Sequence, residues 1–183
     1  MKPTPAGYFW IAYIGIIIFG LAFCTQSKAD DTLWLSAGRS VTNSSYPLLK
    51  SKSWGVAQDL TWHDWHYRLG YLNEGHKEDE FTLGKRDGIY AQWLGTHWLT
   101  PRLATELSAG PYISATTVSN PGQKGYADEY RLNALIGVGV KYRLSPTVKV
   151  MGMWQRALWT KIEGRYADTD IFSLWIGYSP RAF

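Results

Sequence analysis

The order of turns in this chain constrains its fold more than any single strand does. Eight stretches alternate apolar with polar residues or read as strands, at about 32–39, 53–62, 65–74, 88–98, 103–115, 130–143, 147–156 and 169–179. That period of two belongs to strands, and no amphipathic helical pattern of useful length lies between them. The connections alternate as well. His63-Asp64, the stretch near "LTPR" at 99–102 and Ser145-Pro146 are short. The stretches "SVTNSSYPLLKSK", "EGHKEDEFTLGKRD", "TTVSNPGQKGYADE" and "TKIEGRYAD" are long and polar. An antiparallel up-and-down arrangement collects all short turns at one end and all long loops at the other. Several of the strands reach about 10 residues, the length that crosses a bilayer when tilted.

Residues 130–143 show which face meets lipid. Tyr130, Leu132, Ala134, Ile136, Val138, Val140 and Tyr142 share one parity, and Arg131, Asn133, Gly137, Gly139, Lys141 and Arg143 share the other, with Leu135 the large apolar exception. The polar face is built from glycines and cations, as expected for the inside of a barrel with an apolar skin. Trp34, Trp62, Trp65 and Trp98, with Tyr142, lie beside the short turns, and Trp54 and Trp159 lie near the long loops. Aromatic residues at two levels suit the two membrane interfaces.

The amino terminus reads as a targeting segment. Lys2 precedes an apolar run from Tyr8 to Phe23, and Ser27-Lys28-Ala29 ends it with a small-residue cleavage pattern. We therefore expect a cleaved signal peptide over 1–29 and an all-β domain over 30–183. Cleavage removes Cys24, the single cysteine, so the mature chain holds no disulfide. It also removes Lys2 and Lys28, taking 19 cations to 17 against 15 acids, a net charge of +2. That balance gives no reason to expect a nucleic-acid partner.

The chain closes on "IFSLWIGYSPRAF", in which Phe172, Leu174, Ile176 and Tyr178 alternate with Ser173, Trp175, Gly177 and Ser179. This resembles the closing strand of small outer-membrane barrels, although Pro180 and Arg181 interrupt the pattern. With the loop order and the aromatic levels, the mature chain resembles the small eight-stranded barrels of the OmpX, OmpA transmembrane domain and PagL types. The resemblance is one of architecture. It implies an eight-stranded antiparallel up-and-down transmembrane β-barrel in a bacterial outer membrane.

A two-residue turn fixes register. With His63 and Asp64 as the turn, Trp62 faces Trp65, Leu60 faces Tyr67 and Val56 faces Tyr71, all toward lipid. Thr61 then faces His66 and Asp59 faces Arg68, both pairs toward the lumen, where Asp59 and Arg68 form an ion pair. Glu106, Ser108, Arg131, Asn133, Lys141, Lys149 and Gln155 complete the expected polar interior. Strand 88–98 carries apolar residues on both parities, and its facing stays open. Eight strands enclose room for side chains and little else, so binding belongs to the loops, the rim or the outer wall.

Two functional readings follow. The favoured one is non-enzymatic: outer-membrane lipid surrounds the barrel, and its loops contact lipopolysaccharide, surface polysaccharide or another envelope component. Lys50, Lys52, Lys77, Lys85, Arg86 and Lys124 would meet phosphates, and Tyr46, Tyr126 and Tyr166 would stack on sugars. The alternative is a lipid A deacylase or acyltransferase, with His76 as general base oriented by Glu74 or Asp87. Its serine would come from Ser114 or Ser119. The His-x-Ser motif of PagL-type deacylases is missing after His63, His66, His76 and His97, and the helix that precedes PagP-type barrels has no room before the first strand. His63, Asp64 and His66 fit a turn and a lumen position, so no metal or other cofactor is expected.

Overall fold

The computed structural model describes residues 31–43, 49–78, 83–119, 127–162, 165–166 and 168–179. Side chains are described for these except at 43, 49, 76–78, 83–85, 117–119, 127–129, 161–162 and 165–166. The expected signal peptide lies outside the described residues. The strands are β1 (Thr32–Asn43), β2 (Leu49–Trp62), β3 (Trp65–Glu78), β4 (Leu83–Trp98), β5 (Leu103–Ser119), β6 (Ala127–Arg143), β7 (Val148–Leu158), β8 (Lys161–Ile162), β9 (Arg165–Tyr166) and β10 (Asp168–Tyr178). β1, β10, β7, β6, β5, β4, β3 and β2 close into an antiparallel barrel, while β8 and β9 pair as a separate small hairpin. Closure removes every sheet edge, which is what lets a sheet survive where no water can satisfy its backbone.

The stagger follows from the register. One circuit from Lys50 through Val41, Asp170, Arg156, Ile136, Ala109, Trp93 and Tyr67 returns to β2 at Leu60, ten residues along. Eight strands with that stagger tilt by about 40° from the barrel axis. Each residue then climbs about 2.5 Å along the axis. β5 and β6 have 17 residues each, whereas β7 and β10 have 11, so the wall is uneven in height.

The barrel is inside out. On β6, Leu132, Val138, Val140 and Tyr142 are exposed while Asn133, Leu135 and Lys141 are buried. Leu35, Leu107, Leu174 and Ile176 add to the exposed apolar skin. Trp62 and Trp65, paired across the two-residue turn, are exposed at the short-turn end. His63 supplies the left-handed backbone of that turn (φ 54°).

The structure corrects two expectations. Trp34 was read as an interface residue. It is fully buried in the lumen, because the parity that exposes Leu33 and Leu35 turns it inward. Trp98 keeps its place beside the short turn: it is exposed at the end of β4, with the Arg143 guanidinium stacked over its ring at 4.6 Å. The stretch read as a loop between strands three and four is largely ladder, since pairing continues to Glu78 opposite Leu83. β4 resolves its ambiguous facing in the same register: Arg86, Tyr90 and Gln92 are buried, whereas Ile89 and Trp93 are exposed.

Candidate functional site

Among the described residues the lumen holds two charged clusters. The one nearer the short turns is centred on Arg68, which is fully buried. Its Nε and one terminal nitrogen donate to the two Asp59 oxygens at 2.7 and 3.0 Å, and the other terminal nitrogen donates to Glu106 at 2.8 Å. Lys141 pairs with the second Glu106 oxygen. The Trp34 indole donates to Asp59 at 2.8 Å. The Trp34 and Trp175 rings lie 5.4 and 5.5 Å from the Arg68 guanidinium carbon. Each of these four buried charges has an opposite charge beside it, the condition under which such burial is tolerable. A guanidinium also stacks on indole faces as an ammonium does not.

The second cluster sits toward the long-loop end. A register shift between Asn73 and Gly75 makes Glu74 an extra residue on β3, and Gly75 takes the left-handed conformation (φ 85°) that such a bulge asks for. Glu74 is fully buried. It accepts from the Tyr112 hydroxyl at 2.9 Å and from Arg86 at 3.4 Å. Arg86 also donates to Thr169 at 3.1 Å, and Thr169 shares a hydrogen bond with Thr42 at 3.0 Å. Arg86 was expected among the loop cations. It is buried instead, because the β3–β4 ladder carries its position into the lumen.

Other polar lumen residues join the clusters or fill the space between them. Gln92 donates to Ser108 at 3.1 Å and to the Leu135 carbonyl at 3.2 Å, and Gln155 donates to Gln92 at 3.4 Å. Asn133 donates to Ser114 at 2.7 Å, and Lys149 to Thr32 at 3.0 Å. Arg131, on the inward parity, pairs in register with Ser114 and is half-buried. His66 is exposed at the mouth of the lumen, 3.1 Å from Thr61. Leu72, Leu135, Met151, Met153 and Ile171 pack among these groups. Among the described residues no group of three His, Cys, Asp or Glu side chains is placed to hold a metal ion.

Of the residues proposed for catalysis, Glu74 and Asp87 take opposite faces of the wall. Glu74 is inside the barrel, engaged as above. Asp87 lies on the outward parity with Ile89, where it accepts from the Tyr71 hydroxyl at 2.8 Å. His76 pairs in register with Lys85, and the side chains of His76, Lys77 and Lys85 lie outside those described. Ser114 is buried and occupied by Asn133. The side chains of Ser119 and Tyr166, and residues Tyr46, Lys124 and Tyr126, also lie outside the described set. Lys50 and Lys52, expected in a loop, belong to β2 and are exposed.

No protein-family model matches the chain, and no curated protein matches it. Solved structures do. Neisserial surface protein A is 15% identical with a TM-score of 0.72, over 82% of this chain and 97% of that one. Ail of Yersinia pestis, in complex with the heparin analogue sucrose octasulfate, is 10% identical with a TM-score of 0.58, over 81% of this chain and 96% of that one. This is the fold of the small eight-stranded outer-membrane barrels. The apolar skin and polar filling make the same point, and the chain is an integral, multi-pass barrel of the bacterial outer membrane. Bacterial outer-membrane barrels turn their short connections to the periplasm and their long ones outward.

Proposed function

We propose that this barrel works through its extracellular end without carrying out chemistry, its loops and rim contacting lipopolysaccharide, surface polysaccharide or another envelope component. The packed lumen is the observation that supports this most. Charged and aromatic side chains fill it from Thr32 and Lys149 at one end to Thr169 and Arg86 at the other, so a ligand meets the outside of the molecule. Cations supply the second support: Lys50 and Lys52 are exposed toward the outer end, and Lys77, Lys85 and Lys124 belong to the same end in sequence. The sulfated sugar in the Ail complex is an anion of the class such cations attract.

The test uses the full-length protein in nanodiscs, with lipopolysaccharide and an acidic polysaccharide flowed over it. Replacing Lys77, Lys85 and Lys124 together by Gln is expected to weaken binding about tenfold, as loss of several exposed ionic contacts would. Unchanged binding overturns the reading. The enzymatic alternative needs Glu74 or Asp87 to orient His76, and each carboxylate already has partners, on opposite faces of the wall. Mass spectrometry of lipid A from cells with and without the protein decides it. We expect an unchanged acylation pattern; an altered one would establish the enzyme.

A further inference from the structure

Three cations on the outer wall face the membrane, and none of them forms an ion pair with a described residue. Arg39 on β1 stands directly opposite Lys52 on β2, and Lys50 is the next outward position along β2. All three are exposed. Their side-chain nitrogens make no ion pair or hydrogen bond with any described residue. The other outward cation nearby, Arg156, lies 3.7 Å from both Asp168 and Asp170. Like charges directly opposite each other destabilise a strand pair, so Arg39 and Lys52 are poised to gain from an anion between them.

The height of the patch identifies that anion. Lys52 lies ten residues along β2 from Trp62 at the periplasmic interface. At about 2.5 Å per residue this is about 25 Å, the height of the apolar band of such barrels. The three cations therefore stand at the level of outer-leaflet headgroups. Beside Arg39 in the ladder is Phe172, and beside Phe172 is Trp154. Beneath that ridge runs a shallow groove past Ala37, Leu174 and Gly152. Nothing stands within 4 Å of where a Cβ on Gly152 would be. A headgroup-level cationic cluster thus opens downward onto a shallow, largely apolar groove.

We infer that this wall binds a phosphorylated, multiply acylated glycolipid of the outer leaflet, its phosphate among Arg39, Lys50 and Lys52 and one acyl chain in the groove at Ala37 and Gly152. The inference deepens the proposed function and rests on it in placing envelope contact at this end; it moves that contact from the loops to the wall. Uncharged lipids fit the groove without satisfying the cations, and soluble polyanions satisfy the cations without filling the groove.

The experiment is native mass spectrometry of the full chain released from nanodiscs of phosphatidylcholine containing either bisphosphorylated or dephosphorylated lipid A. The wild type is expected to retain one bisphosphorylated molecule at least tenfold better than the dephosphorylated form. Combined R39Q, K50Q and K52Q should abolish that preference. Gly152→Phe fills the groove from open space, so it should leave the heat-shifted gel mobility of the folded barrel unchanged while cutting retention. Equal retention of both lipids by the wild type overturns the inference, as does full retention by the triple variant. If the triple variant keeps lipid A while the Lys77, Lys85 and Lys124 variant loses it, the wall site falls and the loop reading stands. If the triple variant alone loses lipid A, the wall site stands and the loop reading falls.

Discussion

Arg68 joins several parts of the interior: two carboxylates accept from it and two indole faces flank it. Arg68→Ala leaves Asp59 without a cation and Glu106 with Lys141 alone. Breaking a buried pair this way is expected to cost about 3–5 kcal/mol, read as a lower urea midpoint for the barrel in lipid vesicles. Replacing Arg68 by Met together with Asp59→Asn and Glu106→Gln removes the stranded charges and should recover most of the loss. The Asp59–Arg68 contact is legible in sequence because a two-residue turn leaves the register no freedom. The Trp34 position is not, since an indole is counted as apolar on either face. What decides its side is the parity of Leu33 and Leu35 and an acceptor, Asp59, that lies 25 residues away.

Among the elements, β3 carries the irregularity with the largest consequences. The bulge at Glu74 lets Glu74 and Arg86 meet inside the wall. Gly75 makes it possible, because its positive φ and its approach to Ser51 and the Lys52 carbonyl leave no room for a Cβ. Gly75→Ala should therefore destabilise the barrel by at least about 1 kcal/mol. Gly152→Ala, on the open outer wall, should cost less. Equilibrium unfolding of the two variants side by side checks the contrast. An inserted residue is hard to see in sequence, because the period of two simply slips by one. The polar run 74–87 therefore reads as a wet loop. β4 defeats periodicity for a related reason: the large apolar rings Tyr90 and Trp93 take opposite sides, and only the ladder from β3 decides between them. β6 is legible because its inward face is glycine, cation and amide with a single apolar exception.

At the scale of the whole molecule, the loop order implies an orientation. A short epitope inserted at 120–126 should be labelled by antibody on intact cells, while one inserted at 145–146 should be labelled only after the outer membrane is opened. Reversed accessibility would refute the orientation. The unequal strands add to this. Six residues more in β5 and β6 than in β7 and β10 make one side of the barrel about 15 Å taller at about 2.5 Å per residue. The rim is thus a step: a stiff hydrogen-bonded mast rises on β5 and β6, and the low sill of β7 and β10 begins directly beside it, where β7 pairs with β6. Bulky visitors from the medium meet the mast first, and molecules drifting within the leaflet have free passage to the sill.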